Sequence, residues 1–293
     1  MWFFLALGSA LFYSFRGILE KRIIGNVDKY ILGLAIRLFA IPFFFVPFLW
    51  SPNSFISPLH LSWQFWTVVA IICCITTPIE TILYYKALQT EEVTLILPIL
   101  ALGPALTVLW GSLTLHEIPS LFGLVGVLSL VFGVYALKIG HAKEGLLEPI
   151  HHLRNNPAIR LMFVVMLSSS LSSVLDKVGV VHSNAYMYGL INYLAVSVAL
   201  FVIALYKSKH HLRQLITHKT PFLVIGTVIA AYTLLNFLAL QTGFAGYVGA
   251  VRASYLLFTM IMGILFLKEK DAKQKILSGI FIVLGLILIK LFS

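Results

Sequence analysis

Charged residues are scarce in this chain of 293 residues, where Asp, Glu, Lys and Arg together make up only 11%. Soluble globular domains carry about 25% charged residues. Apolar side chains account for 60% of the chain, and the mean hydropathy is +0.97. These values exclude a soluble globular domain and predict an integral membrane protein.

Motifs that carry enzyme chemistry are also missing. The sequence has no His-Glu-x-x-His, Gly-x-Ser-x-Gly or Gly-Lys-Ser/Thr motif, and its nine histidines lie at or beyond the ends of the predicted spans. Its two cysteines, Cys73 and Cys74, are adjacent, which fits neither a disulfide framework nor zinc spacing. We therefore expect no enzyme activity, no catalytic residues, no metal and no cofactor.

Long apolar stretches are what the sequence does contain. About 20 apolar residues span a bilayer, and ten such stretches are present. The spans are 2–20, 31–50, 63–85, 93–115, 119–138, 158–177, 185–206, 221–240, 245–267 and 274–292. The first stretch has no basic region before it, so we read it as an uncleaved helix. The predicted fold is all-α, with ten transmembrane helices, and Pro78, Pro98 and Pro104 are predicted to kink spans 3 and 4.

The tetrapeptide Ala-Leu-Gln-Thr occurs at 87–90 and again at 239–242, an offset of 152 residues. At the same offset Glu117 matches Glu269 and Gly133 matches Gly285, and an offset of 156 pairs earlier residues such as Ser14 with Ser170. The chain is therefore a duplicated five-helix unit. We predict a first repeat at 1–140, a cytoplasmic linker at 141–157 and a second repeat at 158–293.

The distribution of basic residues predicts how the repeats are oriented. If loops alternate between two sides, one side carries 16 Lys and Arg residues and the other carries two. The positive-inside rule makes the first side cytoplasmic and both termini extracytoplasmic, in the cell (inner) membrane. The loop between spans 4 and 5 has no Lys or Arg, whereas its counterpart between spans 9 and 10 has four. The second repeat is therefore predicted to be inverted.

The net charge of +10 does not indicate nucleic-acid binding, because the basic residues lie at helix ends rather than on one soluble face. The lipid bilayer is the expected partner. Inverted repeats let a central site open to either side of the membrane in turn. The sequence leaves dimerisation open, and a homodimer is compatible with it.

Two five-helix units that each end in Leu-x-Leu-x-Glu before a Gly-spaced last helix resemble the drug/metabolite transporter superfamily, and in particular its ten-helix EamA-like family. The stretches YYKALQT and LPILALGPALTVLWG are similar to that family's third and fourth helices. The resemblance implies a transporter of small metabolites with a site near the membrane midplane, lined by spans 3, 4, 8 and 9. It also implies cytoplasmic termini, whereas the charges of both halves favour extracytoplasmic ones.

Charged residues inside the predicted spans are the candidate site residues, because each costs about 2.5–3.5 kcal/mol at a helix centre. Arg252 is flanked by small residues in GYVGAVRASY and has no acidic residue in its span, so it suits a substrate carboxylate or phosphate. Arg37 and Glu80 lie at similar depths and are predicted to pair, either structurally or at the site. Arg16 is expected to extend to the near helix end.

Polar residues at matching positions complete the candidate site. Glu80 and Tyr84 lie one turn apart, and their repeat equivalents are Tyr232 and Asn236, which predicts two facing polar stripes. Ordinary hydrogen bonding between helices is the alternative reading. Tyr255 follows Arg252 by three residues and is included as a substrate-binding candidate.

The leading hypothesis is a secondary active transporter that moves a small anionic or zwitterionic metabolite, such as an amino acid, by alternating access. Glu80 is a candidate for a coupling proton, because an apolar environment favours the neutral carboxyl group. A flippase for a lipid-linked intermediate is the alternative, and an intramembrane enzyme is a weaker one.

Overall fold

The structure is a computed structural model, and it describes residues 1–23, 27–50, 55–90, 99–139, 156–259, 261 and 272–293. All regular elements in these residues are helical. The α-helices are α1 (Trp2–Ile23), α2 (Lys29–Leu38), α3 (Ile41–Trp50), α4 (Trp63–Ile71), α5 (Thr77–Thr90), α6 (Gly103–Thr114), α7 (Leu121–Ile139), α8 (Pro157–Val181), α9 (Ala185–Lys207), α10 (Lys219–Thr242), α11 (Ala245–Ala253) and α12 (Ala272–Phe292). The predicted linker lies almost wholly outside the described residues.

Side-chain caps fix where several of these helices begin. Asp28 and Asn184 each accept hydrogen bonds from two backbone N–H groups in the first turn of α2 and α9. Asn156 does the same for α8, and Ser62 accepts one such bond in α4. Each cap satisfies donors that have no partner within the helix and contributes about 1 kcal/mol.

Every predicted span contains helix, and five stretches are long and apolar enough to cross a membrane. These are Lys29–Trp50, Trp63–Tyr84, Pro157–Val181, Ala185–Lys207 and Lys219–Thr242. Spans 4 and 9 are described only in part. The all-helical membrane architecture is therefore confirmed, while the count of ten spans stays a prediction.

Spans 3 and 4 are interrupted at the prolines that the sequence marks as kinks. A π-helical segment, Ile72–Thr76, ends two residues before Pro78, where the missing N–H group disrupts the helical hydrogen-bond ladder. Span 4 breaks at residues 101–102, and α6 restarts with Pro104 in its first turn. Pro98, the third predicted kink, lies outside the described residues.

Span 9 has a break that the sequence does not predict. Helix α11 ends at Ala253, Ser254 forms a turn, and residues 255–259 are helical again. The Ser254 hydroxyl donates a 2.6 Å hydrogen bond to the carbonyl of Val251, which also accepts a 3.1 Å bond from the Ser254 N–H. At the offset of 152, this break matches the one in span 4.

The chain divides into two compact units, and each contains parts of both repeats. Unit 1 comprises Met1–Pro78 and Leu175–Thr242, and unit 2 comprises Ile79–Val174 and Gly243–Ser293. The helices α5 and α8 each contribute residues to both units. Each compact unit is thus built from segments of both duplicated halves.

Unit 1 is packed by large aromatic side chains. Helix α1 lies against α10, and α9 lies against α2 and α3. Tyr188, Tyr193, Phe44 and Phe65 are almost fully buried there. Gly189 allows this packing, because a methyl group at its position would overlap the Phe44 ring.

Unit 2 is packed by close approach of helix backbones. Helix α7 lies along α12, where a Cβ atom at Gly133 or Gly285 would come within 2.9 Å of the opposing helix backbone. The Ser129 hydroxyl donates a 3.0 Å hydrogen bond to the carbonyl of Phe281. These two residues are repeat equivalents at the offset of 152, so equivalent helices pack against each other.

Candidate functional site

Arg16 lies in a polar cluster between α1 and α10 in unit 1. Its Nη1 atom is 3.3 Å from the Tyr232 hydroxyl, and its Cζ atom is 5.3 Å from the centre of the Tyr13 ring. The Ser9 hydroxyl fixes the two helices by donating a 2.9 Å hydrogen bond to the Tyr232 carbonyl. The expectation that Arg16 extends to the near end of its helix is wrong. The guanidinium turns back toward Tyr13, following the direction in which helical side chains point.

Arg37 is the second arginine of this cluster. Its Cζ atom lies 4.7 Å from the centre of the Tyr193 ring, and the Tyr193 hydroxyl forms a 2.7 Å hydrogen bond with the Thr233 hydroxyl. The Tyr193 hydroxyl interacts electrostatically with Arg16, Arg37 and the Tyr232 hydroxyl. Unit 1 therefore places both guanidinium groups within electrostatic range of one buried tyrosine.

Two buried polar atoms flank this cluster. Asn236 follows Tyr232 by one turn on α10, and Ser197 follows Tyr193 by one turn on α9. Both residues are about 95% buried, and within the described part of the chain the Asn236 Oδ1 and Ser197 Oγ atoms have no hydrogen-bond partner. Such atoms are uncommon in proteins and call for a ligand, a water or a functional reason.

A carboxylate lies at the edge of the same unit. Asp176 accepts a 2.6 Å hydrogen bond from the Tyr188 hydroxyl, which accepts a 2.9 Å bond from the Asn192 side chain. Arg37 is within electrostatic reach of the Tyr188 hydroxyl. The Asp176 carboxylate is thus tied to Tyr188.

Glu80 is the acidic centre of unit 2. Its Oε1 atom accepts hydrogen bonds from the Ser172 hydroxyl at 2.7 Å and the Ser168 hydroxyl at 3.3 Å, both on α8. Tyr84, one turn further along α5, packs against the apolar cluster that α5 and α8 share. Glu80 and Arg37 belong to different units, so their predicted pairing stays a prediction.

Arg252 occupies the last turn of α11 in unit 2, directly before the break in span 9. Its side chain is half-buried, and no hydrogen bond or ion pair to it is found in the described residues. Tyr255 is also half-buried and begins the helical stretch after the break. Arg252 and Tyr255 therefore lie on either side of the break in predicted span 9.

The start of α11 is held by the loop that joins α6 and α7. The Glu117 carboxylate accepts a 2.7 Å hydrogen bond from the backbone N–H of Ala245, and the Tyr247 hydroxyl accepts a 3.1 Å bond from the Ser120 N–H. Gly246 packs against Val108, whose Cα atom would lie 2.9 Å from an added Cβ atom. The helix that carries Arg252 is therefore fixed at its beginning.

Arg16, Tyr193 and the serines of α8 are site residues that sequence reasoning missed. The two repeat offsets contain a signal for them. Arg16 corresponds to Ser172 at offset 156, and Glu80 corresponds to Tyr232 at offset 152. The Arg16–Tyr232 and Ser172–Glu80 contacts are thus the same contact in the two units.

In the described residues, no group of three His, Cys, Asp or Glu side chains is placed to bind a metal.

Comparisons with other proteins agree with this geometry. A solved protein crystal structure is similar with a TM-score of 0.73, covering 98% of this chain and 96% of that chain at 14% identity. At that identity the likeness shows the fold alone. No curated protein sequence matches the chain.

A sequence model of the EamA-like transporter family matches residues 1–138 and 156–291 separately. This match confirms the resemblance seen in the sequence and its two-repeat layout. Proteins of this family are transporters, not enzymes. The chain belongs to the EamA-like transporter family and is a multi-pass membrane transporter of the drug/metabolite type.

Proposed function

We propose that the protein is a secondary active transporter that moves a small anionic or zwitterionic metabolite, such as an amino acid, by alternating access. One observation carries this proposal. The Arg252 side chain is half-buried, has no hydrogen bond or ion pair within the described residues and lies at the break of predicted span 9. Interrupted spans mark the binding sites of many transporters, because the freed helix ends face the substrate.

The electrostatic cost of Arg252 is the reason for assigning it a ligand. A charged side chain at the centre of a membrane helix costs about 2.5–3.5 kcal/mol. A substrate carboxylate or phosphate would offset that cost through two parallel hydrogen bonds with the guanidinium. Tyr255, on the other side of the break, adds a hydroxyl that contributes to orienting the same substrate.

The remaining candidates take supporting roles in this proposal. Tyr232, Asn236, Arg37 and Tyr84 stay the other substrate-binding candidates. Two inverted repeats with ten spans would give the two conformations that alternating access needs. The matched breaks in spans 4 and 9 support this symmetry. The extracytoplasmic termini and the cell-membrane location are part of the proposal.

Glu80 is proposed as the site of a coupling proton. Its carboxyl group lies on a membrane helix and accepts hydrogen bonds from Ser168 and Ser172. Hydroxyl groups can rotate and accept a hydrogen bond from the protonated form, so both charge states find partners. Uphill transport driven by a pH gradient tests this role, and transport that ignores the gradient would remove it.

A thermal-shift screen and substrate counterflow in proteoliposomes test the function. The panel contains amino acids, carboxylates, sugar phosphates and nucleotide sugars. Arg252→Gln should lower the affinity for the stabilising compound by about 100-fold, and Arg252→Lys by less. Arg160→Gln is the matched control, because Arg160 is an exposed arginine in the same unit.

Counterflow that persists unchanged in Arg252→Gln would contradict the role of Arg252. If no compound stabilises the wild-type protein or shows counterflow, soluble-metabolite transport is wrong. Translocation of a fluorescent phospholipid in the same vesicles would then favour the flippase alternative.

A further inference from the structure

We propose that the segment that joins α9 to α10, residues 207–219, binds the headgroups of anionic phospholipids at the membrane surface. We call this segment of unit 1 the basic loop. The inference concerns the lipid that surrounds the protein, and it does not rest on the proposed function.

The basic loop carries positive charge without any negative charge. Its thirteen residues contain no Asp or Glu, and seven of them are basic: Lys207, Lys209, His210, His211, Arg213, His218 and Lys219. Six of these side chains are exposed, and that of His218 is half-buried. Within the described residues none of the seven forms an ion pair. Each Lys or Arg near an anionic membrane surface strengthens binding to it by about fivefold.

Hydrogen bonds fold the basic loop into a defined shape. The Ser208 N–H ends α9 by donating a 2.8 Å bond to a carbonyl one turn earlier. A 3₁₀ turn, Lys209–His211, and one helical turn, Gln214–Thr217, follow. The Gln214 side chain accepts a 3.0 Å bond from the backbone N–H of Asp28, which ties the loop to the start of α2. The basic side chains therefore extend from a pre-organised backbone, which lowers the entropy cost of binding.

The position of the basic loop favours a lipid over a soluble polyanion. It joins two stretches that are long and apolar enough to cross a membrane, Ala185–Lys207 and Lys219–Thr242. Its ends therefore lie where the hydrocarbon core meets the headgroups. Tyr206, directly before the loop, is 86% exposed, and Ile216 within it is 74% exposed. A tyrosine ring suits the membrane interface, whereas a soluble polyanion would leave both apolar surfaces in water.

The charge of the basic loop exceeds what packing and orientation need. Its repeat counterpart joins spans 2 and 3, and residues 51–62 there contain no Lys or Arg. The fold therefore joins two neighbouring spans without basic residues. Most of the 16 basic residues on the predicted cytoplasmic side lie in other loops, so the positive-inside bias would persist if the basic loop were neutral. Anionic headgroups account for the remaining charge.

Lipid retention by the purified protein tests the inference. The protein in detergent is incubated with equal amounts of phosphatidylglycerol and phosphatidylcholine that carry the same acyl chains, and bound lipid is counted by native mass spectrometry. The wild type should prefer phosphatidylglycerol by more than about tenfold. The variant Lys207→Gln/Lys209→Gln/Arg213→Gln/Lys219→Gln should lower that preference to less than about threefold. Equal retention of the two lipids by the wild type would overturn the inference, as would an unchanged preference in the variant.

A charge-matched control separates the basic loop from net charge. Lys268→Gln/Lys270→Gln/Lys273→Gln/Lys275→Gln removes the same number of positive charges from the loop between spans 9 and 10. This variant should keep the preference for phosphatidylglycerol, and an equal loss in both variants would overturn the assignment to the basic loop. Neutralising basic residues also changes the bias that sets the direction of insertion in cells. Retention in detergent does not depend on that direction.

Hydrogen exchange of the wild-type protein locates the contact without any mutation. Peptides that cover residues 207–219 should exchange at least about threefold more slowly in nanodiscs that contain phosphatidylglycerol than in nanodiscs of phosphatidylcholine alone. Peptides that cover residues 55–62, in the loop without Lys or Arg, should exchange equally in both. No slowing at 207–219 would overturn the inference.

Inorganic tripolyphosphate, added to nanodiscs of phosphatidylcholine alone, is the soluble source of phosphate. Slowing of exchange at 207–219 by tripolyphosphate but not by phosphatidylglycerol would overturn the assignment to a lipid. None of these measurements uses a transported substrate, so their outcome is independent of the proposed function.

Discussion

The same helix-to-helix contact carries a positive charge in unit 1 and a negative charge in unit 2. In unit 1 the Arg16 guanidinium meets the Tyr232 hydroxyl, and in unit 2 the Ser172 hydroxyl meets the Glu80 carboxylate. The two residues on α1 and α8 are repeat equivalents, as are those on α10 and α5. Duplication has therefore kept the contact and replaced its chemistry, which is how one scaffold acquires two different polar centres.

The units also differ in how the surroundings of their arginines are held in place. In unit 1 the arginines contact tyrosine rings, Arg16 the half-buried ring of Tyr13 and Arg37 the buried ring of Tyr193. In unit 2 the supporting contacts involve backbone, through Glu117 at the start of α11 and Gly246 against Val108. The variants below test that difference.

Glu80→Gln removes the negative charge from the Ser172–Glu80 contact of unit 2 and should have the largest effect. Glutamine keeps an oxygen that accepts from Ser172, so the thermal midpoint in detergent should change little. Proton-driven uptake should fall by about 100-fold, because the amide cannot take up and release a proton. Counterflow needs no net proton movement, so it should persist in Glu80→Gln. Its persistence would show that the variant loses proton coupling and keeps substrate binding.

Ser172→Ala is the control for this prediction, since it removes one hydrogen bond and leaves the carboxylate in place. It should reduce uptake by no more than about tenfold. If Glu80→Gln takes up substrate against a gradient as the wild type does, the acidic centre of unit 2 has no part in coupling.

Gly246→Ala should disrupt the backbone support of unit 2. The added methyl group would overlap Val108 and shift α11, at a cost of about 1–3 kcal/mol in stability. Gly249, one turn further along, has its nearest neighbour, a Thr107 methyl group, 3.9 Å from an added Cβ atom. Gly249→Ala should therefore be neutral or slightly stabilising. Equal thermal midpoints for the two variants would contradict the tight packing of α11 on α6.

Tyr193→Phe should test the side-chain support of unit 1. The substitution removes the 2.7 Å hydrogen bond to Thr233 and leaves a buried hydroxyl without its partner. The expected loss of stability is about 1–2 kcal/mol. Thr233→Val should cost a similar amount, and the double variant should cost less than the sum, as a double-mutant cycle in detergent unfolding would show. Additive effects would mean that the two hydroxyls do not interact.

The helices and the duplication follow from the sequence, because both depend on local features. Apolar stretches define the spans, and proline marks the breaks in spans 3 and 4. The break at Ser254 escapes this reasoning, since serine and small residues are common in unbroken membrane helices. Its position can be predicted only by adding the offset of 152 to the position of the break in span 4.

The partners of the buried charges depend on which helices meet, and the spans alone do not fix this. Arg16 looks like a residue near a helix end until α1 and α10 are brought together. Glu80 matches Arg37 in predicted depth, yet its described hydrogen bonds go to serines on α8. The polarity of Arg252, Tyr232 and Asn236 was visible in the sequence, whereas their distribution over two units was not.

His116→Gly should give the smallest effect. It compares a residue just after helix α6 of unit 2 with the residues that cap two helices of unit 1. Asp28 and Asn184 begin the unit 1 helices α2 and α9 with negative φ values, whereas His116, beside Glu117, has a φ of 55°. Glycine adopts that conformation without strain, and its greater freedom in the unfolded chain offsets part of the gain. The net change should be a stabilisation of about 0.5 kcal/mol, measured as a higher thermal midpoint. A loss of stability would instead mean that the imidazole itself holds the loop, so that unit 2, like unit 1, depends on side chains at this point.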